Sequence, residues 1–451
     1  MRLRRGSTKE VITLGNPLGE GGEARVYEVP GHPDLVAKIY HNPTNTDWAK
    51  LKVMLANPPE DPTRTQGHTS IAWPVDLLQH QGNSASAGFL MPRLNHAPPV
   101  FQYYNPGTRR KQCPGFTYEY LLTTAQNIAS AFAAIHARGY VVGDVNQSNV
   151  LVSATALATI IDTDSFQVSD PENGSVYRCL VRTDDYTAPE LQGVSLESVH
   201  RTAEHDAFGL AVMLFQLLME GFHPFFGQHP GAGEPEPVGE LIRKHHFPYA
   251  RGHTGPYRPG RLPPPLEVLD PGLREKFLLC FEQGGRTPAI RPAAREWREA
   301  LDLTRRRLAT CTRNTHHRFG THLNTCPWCE RAVMLGGRDP FPSPDEIRAQ
   351  RPGRPPVMPP RPPPAVARPP APPPPSPPPP VSIQAPPSWI GWIGPAAVAQ
   401  AAAAFFLLER RPGGRVGDGW QPAGLLDRPS GGGPHAGSRG GNLGGRADAR
   451  P

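Results

Sequence analysis

The residues with the plainest chemistry stand in the stretch VVGDVNQSNVL, where Asp144 and Asn149 lie between two short apolar runs. A further apolar run, LATIID, ends in Asp162. Read as the ends of short strands, these segments bring three oxygen-bearing groups to one cleft edge. Asp144 can accept or orient the proton of a substrate hydroxyl, while Asn149 and Asp162 are hard oxygen ligands suited to magnesium. Upstream, LGEGGEARVY sets Gly19 and Gly21 between two strand candidates, with Val26 beyond them. Glycines let backbone N–H groups approach phosphate oxygens, and a valine at that distance can cover a base. VAK then puts Lys38 inside an apolar strand, a candidate partner for α- and β-phosphates. Each residue also has a plain structural reading: hairpin glycines, an edge lysine, an Asx-turn pair and a helix cap. That reading accounts for each residue singly but not for their joint spacing.

Such groups need elements to hold them. From Val11 to Tyr40, short β-branched and apolar runs alternate with Gly- or Pro-containing turns, which predicts three antiparallel strands. Thr46 to Ala56 has helical character, and IAWPVDLL and GFLMPRL are two more strand candidates. After Phe116 the pattern changes. TYEYLLTTAQNIASAFAAIHARG spaces its apolar residues at three and four and ends at a glycine, as a buried helix with a glycine C-cap does. HDAFGLAVMLFQLLMEG, LREKFLLCFEQG and AAREWREALDLTRRRL predict three further helices. The expected fold class is α+β, a small β-rich lobe followed by a larger, mostly helical one.

The order GEGGEARV, VAK, HARGYVVGDVNQSN, IDTD, YTAPE, HDAFGLAVMLFQLLMEGFHPF and RPAAREW resembles the bacterial eukaryotic-like (Hanks-type) serine/threonine protein kinases from about residue 8 to 303. The resemblance implies the two-lobed protein-kinase fold, with ATP and Mg2+ as cofactors and a protein substrate. It implies a catalytic aspartate at Asp144, metal ligands at Asn149 and Asp162, and an ATP-phosphate lysine at Lys38. It further implies an ion pair between Glu190 and Arg291 at the end of the activation segment. Asp206 would tie its helix to the catalytic-loop backbone.

The departures carry information of their own. Val142-Gly143 stand where His-Arg is usual, leaving no arginine there to receive a phosphorylated activation segment. Asn146 replaces a common lysine or arginine, which removes some transition-state charge stabilisation. Asp164 stands at the DFG glycine position and adds negative charge close to the metals, and Ala24 replaces the third glycine of the phosphate loop. The helix that should offer Lys38 a glutamate, DWAKLKVMLANPPED, has none before Glu60 and only Asp47 at its start. A displaced helix, pairing with Asp47, or an unpaired Lys38 in an inactive form are the alternatives. The leading reading is a divergent active kinase. A nucleotide-binding pseudokinase scaffold is the alternative, and a nucleic-acid-binding module built on the cysteine segment is a third.

In CTRNTHHRFGTHLNTCPWCE, spanned by 308–332, the pair Cys326 and Cys329 can bind one ion from a tight knuckle. Cys311 with His316 or His317 supplies the other half of a tetrahedral zinc site. His316 gives the tidier spacing, and His322 is a further alternative. No thioredoxin-like frame surrounds the CPWC, so metal is favoured over a redox pair. Cys113, Cys179 and Cys280 stand alone and read as structural. A kinase followed by this module looks like a bacterial subgroup, which implies a metal-dependent protein phosphatase and a von Willebrand A-type protein as partners.

Across 451 residues, 58 prolines and 46 glycines are too many for that much packed core. The folded part is expected to end near residue 335, followed by a Pro-rich disordered linker (336–387), an apolar Ala-rich segment (388–409) and a disordered Gly/Arg/Pro tail (410–451). The net charge of +7 comes from arginines scattered through every segment and not from a basic face interleaved with aromatics, so nucleic acid is not an expected partner. The uncharged run Trp389–Leu408 is long enough to span a bilayer. With Arg410, Arg411 and Arg415 behind it, however, the positive-inside rule would leave the kinase on the side away from ATP. A partner helix or a disordered segment competes with a span. The basic N-terminus has no apolar stretch behind it, so the expected location is cytoplasmic, with membrane anchoring through 389–408 as the alternative.

Overall fold

The computed structural model describes residues 1–350 apart from 83–84, 95–96, 229–230, 232–233, 235 and 253–254. The linker beyond 350, the apolar segment 388–409 and the tail 410–451 lie outside the described residues. Among the described residues no helix is long and apolar enough to cross a membrane.

The small lobe is an antiparallel sheet of β1 (Arg2–Arg5), β2 (Val11–Thr13), β3 (Pro17–Glu20), β4 (Ala24–Glu28), β5 (Leu35–Tyr40), β6 (Asp76–His80) and β7 (Ser86–Pro92), in the order β2-β1-β6-β7-β5-β4-β3. The three strands expected between Val11 and Tyr40 are four, because the chain breaks pairing between VIT and PLGE. The sheet also begins earlier than residue 8: Leu3 of β1 is buried with Ile12, Ala37, Leu78 and Leu90 on one apolar face. One helix, α1 (Asn45–Ala56), lies beside the sheet. Its start is fixed by a capping box: the Thr44 hydroxyl accepts from the Asp47 N–H at 3.1 Å, and the Asp47 carboxylate accepts from the Thr44 N–H at 2.9 Å. Asp47 is thereby used as a cap. The inward face of α1 carries Leu51, Met54 and the buried Lys50.

In the larger lobe, α2 (Tyr118–Ala137) buries Leu121, Leu122, Ala125, Ile128, Ala129, Phe132 and Ile135, the three-and-four spacing visible in the sequence. Gly139, at φ 79°, turns the chain out of it. The hairpin of β8 (Val150–Val152) and β9 (Ala158–Ile160) follows. α3 (Ala203–Leu218) is apolar on almost every side and forms the middle of the core, while α4 (Ala294–Arg306) packs on α2 through Trp297 and Leu301.

The folded chain runs beyond 335, against the expectation. A helix covers Pro344–Gln350, and Phe341 and Ile347 are buried. Arg109 explains the docking of this stretch: its guanidinium lies over the Phe341 ring at 4.7 Å and donates to the Pro340 carbonyl at 3.3 Å.

Candidate active site

Strand register brings the first set of groups together. Gly19 pairs with Val26, Val26 with Lys38, and Lys38 with Phe89, a row across β3, β4, β5 and β7. No atom lies within 4 Å of where a Cβ would stand on Gly19 or Gly22, so the hairpin tip offers bare backbone to the cleft. Lys38 Nζ donates to Asp162 Oδ1 at 2.6 Å and to Asp164 Oδ1 at 2.6 Å. Burial opposes the ammonium charge, but the carboxylates of Asp164 and Asp162 outweigh it and raise the pKa of Lys38 above the ordinary lysine value. Asp47 is not its partner.

The β8–β9 hairpin carries the second set. Asn149 precedes β8 and Asp162 follows β9, and the Ile161 N–H donates to the Asn149 carbonyl at 2.9 Å, so the two side chains leave adjacent ends of one hairpin. Asp162 is a non-glycine residue at φ 59°, a strained backbone of the kind that persists where the surroundings impose it. Both residues are partly exposed. This oxygen donor pair fits a hard divalent cation.

The catalytic-loop backbone is held from below. Val142 N and Gly143 N donate to the Asp206 carboxylate at 2.7 and 2.9 Å, and His136 Nε2 lies 2.8 Å from the same group. Gly143 takes φ 76°, and a Cβ there would meet Arg201 Nη1 at 2.7 Å and Cys179 Sγ at 2.8 Å. The small residue therefore makes room for a buried arginine from elsewhere, which donates to the Val181 carbonyl at 2.7 Å and so secures the activation segment. Thr183 Oγ1 donates to Asp144 Oδ1 at 2.8 Å, and Asn146 Nδ2 donates to Thr183 Oγ1 at 3.1 Å. Burial pushes the Asp144 carboxyl above the ordinary carboxylate value. The Thr183 hydroxyl pulls it partly back, and the charge of nearby Asp162 pushes it up again. Arg291 grips Glu190 with two bonds of 2.7 Å, the ion pair the resemblance implied.

Several functional groups escaped the sequence. Thr183 carries no sequence signal, since serines and threonines are frequent across this segment. Asp164 was read only as an added charge, whereas its carboxylate accepts from Lys38 and, at 2.8 Å, from Tyr40 Oη, and its carbonyl accepts from Lys50 Nζ at 2.5 Å. The only available signal was a lysine on the apolar face of α1.

The cysteine segment forms a separate metal-binding geometry. The ligand atoms of Cys311, His317, Cys326 and Cys329 all lie within 4.8 Å of one another. Cys311 Sγ and Cys329 Sγ are 3.7 Å apart, and His317 Nδ1 is 3.4 Å from Cys326 Sγ and 3.5 Å from Cys329 Sγ. A tetrahedral zinc with metal–sulfur bonds of about 2.3 Å requires sulfur–sulfur edges of about 3.8 Å and slightly shorter sulfur–nitrogen edges, so the donor set fits that ion. His317 Nε2 meets the Asp339 carboxylate at 2.8 Å, which fixes the ring and leaves Nδ1 as the ligand atom. The choice of His316 is overturned: its Nδ1 bonds the Pro342 carbonyl at 2.7 Å, and it lies outside the cluster. His322, bonded to the Glu267 carbonyl, is outside as well.

The family described as "Protein kinase domain" matches residues 84–240. Two curated relatives, both named "Protein kinase YegI", from Escherichia coli O157:H7 and Escherichia coli strain K12, are 37% identical over 332 residues, which is 72% of this chain and 49% of each relative. The chain thus spans about half the length of the curated relatives it matches. "Serine/threonine-protein kinase PkaB" of Streptomyces coelicolor is 32% identical over 122 residues, 25% of this chain and 28% of the relative. A solved structure of a ROP18 kinase domain in complex with AMP-PNP and sucrose has a TM-score of 0.45 at 17% identity, covering 67% of this chain and 82% of that one, a likeness too slight to weigh.

Proposed function

We propose that this chain, which carries a protein kinase domain of the bacterial eukaryotic-like type, transfers the γ-phosphoryl group of ATP to serine or threonine hydroxyls of a protein substrate. The observation that carries the reading is the convergence of Asp144, Asn149, Asp162 and Lys38 on one cleft, with Asp162 close enough to Lys38 for a 2.6 Å bond and to Asp144 for its charge to be felt.

Asp144 accepts the proton of the attacking hydroxyl, with its carboxylate oriented by Thr183. Lys38 binds phosphate oxygens, and the uncovered backbone at Gly22 approaches the same oxygens, while the Gly21 N–H closes the hairpin on the Ala24 carbonyl. Asn149 and Asp162 would hold magnesium, which supplies neutralisation of the phosphate charge. Asn146 brings no positive charge to the transferring group, and its amide instead steadies Thr183. The specificity for serine and threonine is supported by the family resemblance and by the name of the Streptomyces relative. Lys38, Asp144, Asn149 and Asp162 are all present, and nothing in the relatives favours the scaffold reading.

The knuckle is proposed to hold one structural zinc through Cys311, His317, Cys326 and Cys329. A metal-dependent phosphatase and a von Willebrand A-type protein are proposed partners on the strength of the family resemblance. The kinase domain is proposed to work in the cytoplasm, where ATP is present. The test of the reading is incubation of the full chain with magnesium, γ-labelled ATP and a generic basic protein, followed by identification of the modified residues. Phosphoserine or phosphothreonine is expected, and phosphotyrosine alone would refute the acceptor assignment.

A further inference from the structure

The residue expected to partner Lys38 from the neighbouring helix is missing, yet Lys38 is not left alone. Its two carboxylate partners differ in kind. Asp162 is 38% exposed, faces the cleft and belongs to the pair suited to a cation, whereas the Asp164 side chain is only 6% exposed. Both Asp164 oxygens are occupied by protein donors, Oδ1 by Lys38 and Oδ2 by Tyr40, two residues along the same strand. The carbonyl of Asp164 accepts from Lys50, the one buried charged side chain on the inward face of α1. A cation held by Asp162 would compete with Lys38 for that carboxylate, whereas the buried Asp164 carboxylate stays with Lys38 and Tyr40. Helix α1 therefore reaches the site with a cation, and the anion comes from the chain just after Asp162, the reverse of a helix-borne carboxylate.

We propose that Asp164 is the positioning residue that holds Lys38 for nucleotide phosphates, and that Lys50 ties α1 to that same residue. The proposal rests on the phosphoryl-transfer reading for its purpose, but it can be measured by nucleotide binding alone. It also excludes Asp164 as an additional metal ligand, because neither carboxylate oxygen is offered to the cleft.

The experiment uses the full chain and measures the Kd of ATP at saturating magnesium, the magnesium concentration for half-maximal binding at saturating ATP, and KM and kcat where transfer is detected. Asp164→Asn should weaken ATP binding about tenfold or more, the value of one charge-assisted hydrogen bond, and leave the magnesium requirement unchanged. Asp162→Asn should raise the magnesium requirement. Asp164→Glu, which restores the carboxylate, should recover most of the lost affinity, a result that a general packing defect would not give. Tyr40→Phe keeps every charge and serves if Asp164→Asn does not fold; it should weaken binding by a smaller factor with the unfolding midpoint retained. A wild-type Kd in Asp164→Asn, or in Tyr40→Phe where it replaces that variant, would overturn the proposal, as would a raised magnesium requirement in Asp164→Asn. If wild type binds ATP and transfers nothing, the phosphoryl-transfer reading fails while these binding comparisons still decide the role of Asp164.

Discussion

Asp144 is poised between two demands. In the proposed reaction it must be a carboxylate to accept a proton, yet burial and the charge of Asp162 favour its protonated form, with the Thr183 hydroxyl opposing them. A carboxyl whose pKa is raised becomes protonated earlier as pH falls, so the acid limb of kcat/KM should lie above the pH of an ordinary aspartate. Thr183→Ala removes the hydrogen bond that favours the charged form, and the limb should move to still higher pH. A pH–rate profile of the two proteins checks this, and an unmoved limb would mean that Asp144 is not the group titrating. The joint spacing of Asp144, Asn149, Asp162 and Lys38 singles them out in the sequence, and the structure brings Lys38 to Asp162 and sets Asn149 and Asp162 at adjacent hairpin ends. His317 is not singled out in this way. His316 and His317 are adjacent, spacing alone prefers the former, and the decision falls to Asp339, a carboxylate beyond the expected end of the knuckle that fixes the ring of the latter.

At the scale of elements, patterning revealed more than local chemistry did. The apolar spacing of α2 and α3 survives intact in the structure because both are buried by one core, and the pattern records which face or faces must leave water. The first strand escaped notice because RLRR has a single buried residue, Leu3, and reads as a charged terminus. The loss of the arginine before Asp144 was read as the loss of a phosphate receptor. The structure adds what took the space. Arg201 lies against Gly143 and is committed to the Val181 carbonyl, so the unphosphorylated activation segment already has a buried cation holding it. That replacement is invisible to a motif search, since Arg201 is far along the chain from Gly143 and fits there because a glycine has no Cβ to meet it.

For the molecule as a whole, the knuckle is part of the larger lobe and not an appended bead. Trp328 packs on Tyr118 at 4.7 Å and on Phe341 at 4.9 Å, and Arg331 forms a buried ion pair with Glu220, in the turn after α3. Loss of the metal should therefore loosen the larger lobe too, because releasing the knuckle breaks the Arg331–Glu220 pair and removes Trp328 from Tyr118. His317→Ala should release zinc by elemental analysis and lower the unfolding midpoint of the full chain, while His316→Ala should retain one zinc per chain. Zinc retained in His317→Ala would refute the assigned ligand set. The most direct test of the central claim is a paired measurement of ATP binding and γ-phosphate transfer on the full chain, wild type against Asp144→Asn. With Asp144 as the proton acceptor and Lys38, Asn149 and Asp162 untouched, the variant should bind magnesium and ATP nearly as wild type does and lose transfer by about two to four orders of magnitude. Transfer at the wild-type rate by Asp144→Asn would contradict it.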